Sequence, residues 1–319
     1  MKNLDCADEV VIRLLVDNKI GWISDASHPS AKRAGSWVDS AEATPHYLVA
    51  GHGFSALMEI SKDERRYEIV YDTGPSDIVL SNNVGALGID VHGVDSAVLS
   101  HGHWDHFGGL LWLLERVKTQ GLPVYIHPRM FLPKSVHTQE DGNVRIRELD
   151  SIPSRDEILE HGGTLMDSSK AKTIHNDLLL ISGEVPRRTP YETGFPGHHA
   201  LVNGKWEDDH SLIEDQFVAA KTKNGLVIVT GCSHAGIVNM VTYAMELTGD
   251  DKVAGIIGGF HLARKKESTI ESTVHELKEV QPTLVAATHC TGWKAQQSIK
   301  SALGTAAVYS SVGDQYTFN

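Results

Sequence analysis

The chain has 319 residues, 41% of them hydrophobic and 22% charged, which is the composition of a globular protein with enough apolar side chains for a substantial core. Its formal net charge of −12 argues against nucleic acid or an anionic membrane surface as the main partner, because the phosphates of both would repel it. The expected partner is a small-molecule substrate. A phosphorylated one remains compatible with this charge, since a bound metal supplies positive charge locally.

Cysteine usage and hydropathy indicate the compartment. Cys6, Cys232 and Cys290 are an odd set in a long chain and do not suggest a disulfide framework. The N-terminal residues contain no apolar stretch of signal-peptide length, and no run approaches the ~20 apolar residues that a membrane span needs. We therefore expect a cytoplasmic protein, and the sequence leaves its oligomeric state open.

Strand and helix patterns alternate along most of the chain. In chain order, the predicted elements are strands 10–16, 55–60 and 67–71, helix 75–80, strand 94–99, helix 110–118, strands 123–127, 178–182, 217–221 and 226–230, helix 236–247, strand 253–257, helix 268–280, strand 284–288 and helix 293–303. This alternation predicts a single α/β domain over residues 1–319, with helices outside a layered sheet.

Two segments break that rhythm. Residues 128–173 are rich in charges and short of long apolar runs, which predicts an insertion or small subdomain. Residues 187–215 are loop-like and rich in Gly, Pro, His and acidic residues, which predicts a lid or substrate loop. The histidines of this second segment, His198, His199 and His210, either line such a lid or lie on a solvated loop.

The most informative stretch directly follows a predicted strand. It places His101, His103, Asp105 and His106 within six positions. Side chains two apart share a face of an extended segment, so the first three are expected to converge. Gly108-Gly109 would let the backbone turn and bring His106 to the same point. Imidazole nitrogen with carboxylate oxygen suits zinc, iron or manganese better than calcium or magnesium.

Three further histidines stand at similar positions later in the chain. His234, His261 and His289 each follow an apolar strand and lie beside glycine or other small residues. A single histidine at a strand end is more often hydrogen-bonded than metal-bound. Three of them, together with the upstream cluster, point to strand-end loops that surround one metal centre.

The His-x-His-x-Asp-His pattern resembles the signature of the metallo-β-lactamase superfamily. A wider motif set is similar to one branch, that of the dihydropterin ribofuranosylaminobenzene-phosphate synthases, dihydropteroate-synthase-like archaeal enzymes and related hydrolases. These motifs are Gly51-His52-Gly53-Phe54-Ser55 with Glu59, Asp72-Thr73-Gly74, Gly183 to Arg187, Thr230 to Asn239, Gly258 to Leu262 and Thr288 to Gly292. The resemblance implies an α/β fold, a four-layer αββα sandwich with inserted loop-rich segments and metals at the sheet edge.

The resemblance also implies a set of ligands for two metal ions. The first ion would bind His101, His103 and His234. The second would bind Asp105, His106 and His289. His261 is the alternative for either ion, or acts as an acid or base on the substrate side.

One position departs from the superfamily pattern. The strand 226–230 is commonly followed by Gly-Asp, whose carboxylate bridges the metals, whereas this chain has Gly231-Cys232. Cys232 either supplies a thiolate ligand or is a buried, inert thiol. Without a bridging carboxylate the second ion would bind more weakly, which leaves one-metal function open.

Three more polar residues are candidates for the periphery of the site. Asp72 either orients a ligand imidazole or caps a turn or helix. Glu184 replaces a ligand, binds substrate or pairs with Arg187, a surface salt bridge being the default. His52 lies in a glycine-flanked turn that is expected at the edge of the site.

These residues predict a metal-dependent hydrolase that uses a metal-activated hydroxide on a phosphoester, lactone or related small substrate, with Asp105 and His261 in proton transfer. The cofactor would be one or two divalent ions, most simply zinc, with iron or manganese as alternatives. One alternative function is a pterin-transferring synthase that releases pyrophosphate, and another is a non-catalytic metal-dependent binding or sensor protein. In each case helix N-termini after Gly108-Gly109 and Ala235-Gly236 are expected to point backbone N–H groups at the site.

Overall fold

The computed structural model describes residues 2–22, 24, 27–38, 43–118 and 120–319. Within these ranges the strands are β1 Cys6–Ala7, β2 Glu9–Val16, β3 Ala31–Lys32, β4 Ser55–Lys62, β5 Arg65–Tyr71, β6 Ser96–Val98, β7 Leu122–Ile126, β8 Lys134–Glu140, β9 Asn143–Glu148, β10 Gly163–Asp167, β11 Lys172–Ile174, β12 Leu179–Ile181, β13 His198–Val202, β14 Lys205–Asp208, β15 Phe217–Thr222, β16 Gly225–Thr230, β17 Val253–Gly259, β18 Leu284–Thr288 and β19 Gln315–Phe318. The α-helices are α1 Ala34–Trp37, α2 Asp77–Ala86, α3 Trp104–Phe107, α4 Leu110–Arg116, α5 Arg155–Glu160, α6 Ile237–Thr248, α7 Glu267–Val280 and α8 Trp293–Leu303.

Two mixed sheets pack face to face. Among the described residues, one sheet has eight strands in the order β10-β7-β6-β5-β4-β2-β19-β3. The other has seven, in the order β11-β12-β15-β16-β17-β18, with β1 beside β15. Helices α2, α4 and α5 cover the outer face of the first sheet, and α6, α7 and α8 cover that of the second. This is the four-layer αββα sandwich that the resemblance implied.

The strands of the two main sheets are buried on both faces, which explains their continuous apolar runs. In β2, Val10, Ile12 and Leu14 belong to the core between the sheets, whereas Leu15 packs under the helices on the outer face. The loops that follow β6 in one sheet and β16 and β18 in the other meet at one edge of the sandwich and bring polar residues together there. The functional residues described below come from that edge.

The predicted elements differ from the observed ones mainly at their ends. The first predicted helix begins at Asp77, because the Ser76 side chain caps it by accepting the N–H of Val79. The predicted strand 94–99 shortens to β6, so the histidine motif begins beyond the ladder. Strand β19, which lies between β2 and β3, was not predicted because a four-residue strand carries too little alternation to be recognised.

A third, smaller sheet is built from the two loop-rich segments. Strands β8 and β9 from the first segment pair with each other, and β13 and β14 from the second complete the order β14-β13-β8-β9. The remainder of residues 128–173 contributes α5, β10 and β11 to the main layers. The boundaries of an insertion and the role of a lid stay predictions. None of the helices in the described ranges is long and apolar enough to cross a membrane.

Candidate metal centre

The histidine motif combines an extended part with one helical turn. His101 and His103 lie in extended backbone after β6, and Trp104–Phe107 then form the short helix α3. The expectation that Asp105 shares a strand face with the two histidines is therefore wrong. It is this helical turn that brings Asp105 and His106 next to each other at the centre, with Asp105 Oδ2 3.8 Å from His106 Nε2.

The two glycines after the motif serve close packing rather than an unusual turn. Gly108 and Gly109 have negative φ values that any residue adopts. A Cβ on Gly108 would lie 2.1 Å from the carbonyl oxygen of Pro75, and one on Gly109 would lie 2.6 Å from that of Thr73. Only glycine fits here, because the start of α4 lies directly against the loop after β5.

The structure gathers the predicted ligands into overlapping groups whose potential ligand atoms lie within 4.8 Å of one another. One group is Asp105, His106, Cys232 and His289. A second is His101, Cys232 and His234. A third is Cys232, His261 and Cys290. Cys232 is common to all three, so its thiol stands between the two predicted metal positions, at the place of the missing carboxylate.

Four of the imidazoles have one nitrogen held from outside the centre and the other directed inward. His106 Nδ1 lies 2.6 Å from Asp72 Oδ2, and His289 Nδ1 lies 2.9 Å from Asn18 Oδ1. His101 Nδ1 lies 2.9 Å from Ser100 Oγ. The fourth is His103, whose Nε2 lies 3.1 Å from His198 Nε2 and whose Nδ1 is 3.0 Å from His101 Nε2, so it belongs beside the second group.

Asp72 is the outer partner that holds the second half of the centre. Besides contacting His106, it accepts the N–H of Ser100 at 2.7 Å and the Ser100 hydroxyl at 2.6 Å. It is fully buried and has a left-handed φ of 55°, so the chain turns sharply to aim this carboxylate inward. This geometry corresponds to the first of its two predicted roles, orientation of an imidazole, and not to a capping turn.

Burial controls the protonation of the three imidazoles that are predicted to bind the first ion. Burial, reinforced by neighbouring imidazoles, lowers the pKa of His101, His103 and His234 well below the ordinary value. These rings are therefore neutral near pH 7, and each has a nitrogen lone pair available for bonding.

Among the residues predicted to bind the second ion, nearby carboxylates have the opposite effect and raise the pKa of an imidazole. Burial disfavours protonation of His106, but Asp72 and Asp105 outweigh it and raise the pKa of His106 to about 9. Burial likewise opposes ionisation of Asp105, yet His106 and His289 keep the pKa of that carboxyl well below its usual range. Asp105 is thus an ionised oxygen donor among imidazoles.

His261 and His52 lie at the mouth of the centre. The His261 ring is 4.1 Å from that of His234, and its backbone N–H donates to Cys290 Sγ at 3.3 Å. His52 Nε2 lies 3.5 Å from Asp105 Oδ2. His261 belongs only to the third group and His52 to none of them, and both rings line the cavity over the centre.

Glu184 is not part of the centre. Its side chain is 51% exposed, and Oε1 lies 3.2 Å from His127 Nε2. It belongs to none of the ligand groups, and it contacts His127 instead of the predicted Arg187. Arg187 donates to the carbonyl oxygens of Ser211 and Leu212, which tie the ends of the 187–215 segment together.

The expected backbone N–H groups after Ala235-Gly236 are already bonded. Glu192 accepts the N–H of Val238 at 2.8 Å and that of Asn239 at 2.9 Å, which are the second and third residues of α6. A side chain from the 187–215 segment therefore caps this helix. The expectation that its N–H groups face the site is wrong.

Several residues of the site were not singled out from the sequence. Asp17 accepts the backbone N–H of His289 at 3.0 Å, and Asp215 accepts that of Ala235 at 2.7 Å. Phe195 stacks on His234 with ring centroids 5.7 Å apart. Asp17 directly follows β2, and this polar strand-end position is the same signal that identified Asp72. Phe195 has no such signal, since it lies in a segment without sequence periodicity.

The donor set fits a divalent metal. His234 is 3% exposed, and neither of its ring nitrogens has a hydrogen-bond partner within the described residues. Leaving a buried polar group unsatisfied costs about 1–3 kcal/mol, so such a ring needs a partner. Neutral imidazoles, a carboxylate and a thiol are the ligand types of zinc and other transition metals.

Two connected spaces give access to these side chains. A small cavity of about 190 Å³ lies over Asp105, Cys232 and His234. It adjoins a cleft of about 860 Å³, and His52, Phe195, His261 and Cys290 line both. The basic and aromatic residues of the cleft are Lys19, Arg264, Lys265 and Trp293, and no described carboxylate lines it.

Comparison with known proteins gives the same assignment. The family model of the metallo-β-lactamase superfamily matches residues 49–204. The chain is 30% identical over 248 residues to the 7,8-dihydropterin-6-methyl-4-(β-D-ribofuranosyl)-aminobenzene-5′-phosphate synthase of Methanocaldococcus jannaschii, covering 77% of this chain and 82% of that protein. It is 33% identical over 247 residues to an uncharacterised protein of the same organism, with coverages of 77% and 86%.

Solved structures agree on the fold. A metal-dependent hydrolase of the β-lactamase superfamily superposes with a TM-score of 0.71 at 23% identity, covering 97% of this chain and 98% of that one. The metallo-β-lactamase fold protein YhfI from Bacillus subtilis superposes with a TM-score of 0.53 at 14% identity, with coverages of 98% and 100%. The chain belongs to the metallo-β-lactamase superfamily, in the branch of the dihydropterin ribofuranosylaminobenzene-phosphate synthase-like proteins.

Proposed function

We propose that this protein is a metal-dependent hydrolase of a small anionic ester, a phosphoester in preference to a lactone. The observation that carries the proposal is the convergence of the ligand groups on Cys232 beneath an accessible cavity. A purely structural site would be closed, whereas catalysis needs space beside the ligands for substrate and water.

The ligand geometry supports two ions. His101, His103 and His234 would hold the first, and Asp105, His106 and His289 the second, with the thiol of Cys232 between them. A bound divalent ion supplies Lewis acidity, which lowers the pKa of water from 15.7 to about 7 and stabilises negative charge on a reacting oxygen. Zinc suits this donor set best, with iron and manganese as the alternatives.

Two side chains are available for proton transfer. His261 lines both the small cavity and the cleft, and its Nδ1 has no hydrogen-bond partner in the part of the chain that the structure describes. It is therefore suited to protonate the leaving group. Asp105, kept ionised by the surrounding imidazoles, would hold a proton of the attacking water at its free oxygen.

The cleft supports an anionic substrate. Lys19, Arg264 and Lys265 line it on a chain whose net charge is −12, so this positive lining is a local feature. Lys19 Nζ lies 4.0 Å from the centroid of the Trp293 ring, and that side chain is 69% exposed. An exposed indole next to cations suits a substrate with an aromatic group and a phosphate.

Metal analysis and a substrate panel test this proposal. Protein purified without chelator is expected to contain one or two transition-metal ions per chain and to hydrolyse a phosphodiester faster than a lactone. His101→Ala should lose metal and activity, whereas His210→Ala, which replaces an exposed histidine paired with Asp208, should keep both. Near-zero transition metal in the unaltered protein would overturn the proposal.

A synthase is the second candidate, because the 30% identical relative is named as one. The same centre would then bind a pyrophosphate-activated pterin while an aminobenzene nucleophile displaces the pyrophosphate. The discriminating measurement is pyrophosphate release from dihydropterin diphosphate with and without the aminobenzene partner. Release only in its presence would favour the synthase, and release that never depends on it would eliminate that candidate.

A further inference from the structure

The third sheet brings a buried histidine to the back of the metal centre. His198, the first residue of β13, is fully buried, and its Nε2 lies 3.1 Å from Nε2 of His103. Its Nδ1 donates to the backbone carbonyl oxygen of Asp209 at 3.3 Å and lies 3.4 Å from Oδ2 of the same residue, whose Oδ1 accepts from Arg129 at 2.9 Å. A continuous polar chain thus runs from a predicted ligand through His198 and Asp209 to Arg129.

The donor and acceptor roles of these groups assign the protons along this series of hydrogen bonds. The carbonyl oxygen and the carboxylate of Asp209 can only accept, so Nδ1 of His198 carries the proton and Nε2 presents its lone pair. That lone pair requires a proton on Nε2 of His103. A neutral His103 with its proton on Nε2 has its lone pair on Nδ1, the nitrogen that faces His101 at 3.0 Å. The hydrogen bonds from His198 and Asp209 therefore select the tautomer of His103 that can bind a metal.

The same sheet holds the backbone next to this histidine. The N–H of Gly102 donates to Oε1 of Glu214 at 3.0 Å, and Oε2 of Glu214 accepts from Lys134 Nζ at 2.9 Å. Lys134 and Glu214 are both buried, and Lys134 begins β8. Two independent buried contacts thus connect the loop of His101 and His103 to the sheet formed by the two loop-rich segments.

We propose that His198 is a positioning residue for His103 and that the small sheet serves to hold the ligands of the first metal ion. This inference rests on the proposed metal centre and deepens it. In this role the segments 128–173 and 187–215 act together, because both contribute strands to the sheet that holds His103. His198 itself touches neither substrate nor metal in this role.

Replacing His198 tests the tautomer argument. His198→Leu removes the acceptor and is expected to weaken binding of the first ion by about 10- to 100-fold, the usual effect of losing an outer hydrogen-bond partner of a ligand. His198→Gln retains an oxygen that can accept from His103 and should recover a large part of the affinity. The readouts are zinc affinity by competition with a chromogenic chelator and the visible spectrum of the cobalt-substituted protein.

Asp209→Asn separates the two acceptors next to His198. Arg129 would keep the amide oxygen on its own side, so the amide NH₂ would face Nδ1 of His198, while the carbonyl oxygen of residue 209 would still accept the Nδ1 proton. The tautomer of His198 should therefore be retained, and first-ion affinity should fall less than in His198→Leu.

His199→Leu is the matched control. His199 is the next residue of the same strand, and its ring stacks on His137 at a centroid distance of 3.7 Å, away from the centre. It should leave zinc affinity unchanged. Melting temperatures of the metal-free proteins separate a positioning role from a merely structural one.

Two results would overturn this proposal. One is a His198→Leu protein that binds the first ion as tightly as the unaltered protein. The other is an equal loss in the Leu and Gln variants that is matched by equal destabilisation without metal. If the unaltered protein itself binds no metal, it is the proposed function that fails.

Discussion

The two halves of the metal centre are held by different parts of the fold. In the second-ion half, His106 and His289 are each fixed by a side chain from a strand end of the larger main sheet, Asp72 and Asn18. In the first-ion half, His101 is fixed by Ser100 after β6, but His103 depends on the small third sheet, and the ring nitrogens of His234 lack a hydrogen-bond partner within the described ranges. The second half is therefore preorganised by the core, whereas two of the three predicted ligands of the first depend on added elements or on the metal itself.

The outer partners of the second half, Asp72 and Asn18, lie at strand ends of the main sheet, so the geometry of that half follows from the sandwich fold. The first half can be changed by changing the inserted segments, since these contact His103 and the backbone of Gly102. The contacts therefore indicate that substitutions in one half should affect its own ion more than the other.

The largest effect is expected from Cys232, which belongs to both halves. Cys232→Ala should lose both ions, with affinity lowered by more than about 100-fold, because a ligand is removed rather than its outer partner. Cys232→Asp, which installs the carboxylate common in the superfamily, should retain them. Metal content and the thiolate absorption of the cobalt protein measure this.

Cys6→Ala is the control for that experiment, since Cys6 lies in β1 outside the site. Unchanged metal content in Cys232→Ala would mean that Cys232 is an inert buried thiol. In that case the two halves share no ligand, and each ion binds to its own set of residues.

Asp72→Asn is expected to affect the second ion more than the first. Loss of the charge that orients His106 should weaken the second ion by about 10- to 100-fold, whereas the first ion, which Asp72 reaches only through Ser100 and His101, should lose less. Stepwise metal titration by calorimetry resolves the two. Asp90→Asn replaces an exposed aspartate that pairs with His92, and it should change neither. An equal loss of both ions would contradict the independence of the halves.

The cleft opens beside His289 and His52, so substrate anions should dock on the second-ion side. Arg264→Gln is expected to raise the inhibition constant of phenyl phosphate about tenfold, because a charged hydrogen bond is worth about 1.5–3 kcal/mol and this side chain is exposed. The value of kcat should change little. Lys223→Gln, in the turn after β15, is the control, and equal inhibition of both variants would argue against phosphate recognition here.

The smallest effect is expected from Glu192, which caps α6 behind His234. Glu192→Gln leaves one acceptor oxygen and should lower the free energy of unfolding by about 1 kcal/mol. Urea denaturation of the metal-free protein measures it, with exposed Glu207→Gln as the control. A large drop in metal affinity without loss of stability would show that the cap positions His234, a role that the contacts alone do not assign.

Much of the centre could be predicted because its residues carry a local signal. Polar residues at or shortly after the ends of apolar strands, such as Asp72, His234 and His289, identify themselves in the sequence, and parallel strand ends meet at one sheet edge. Asp17 carries the same signal. His198 and Phe195 do not, since His198 begins the short, partly exposed strand β13 and Phe195 lies in the loop before it.

The sequence by itself determined the layered α/β fold, the candidate ligand residues and the departure at Cys232, because these follow from local periodicity, residue type and the motifs of the family. The tertiary structure decided which nitrogens of the imidazoles face the centre, that Glu184 lies outside the ligand groups, and that two apparent loops form one sheet behind His103. Those features depend on contacts between residues far apart in the chain, 95 positions for His103 with His198 and 271 for His289 with Asn18, and no local pattern records such a pairing.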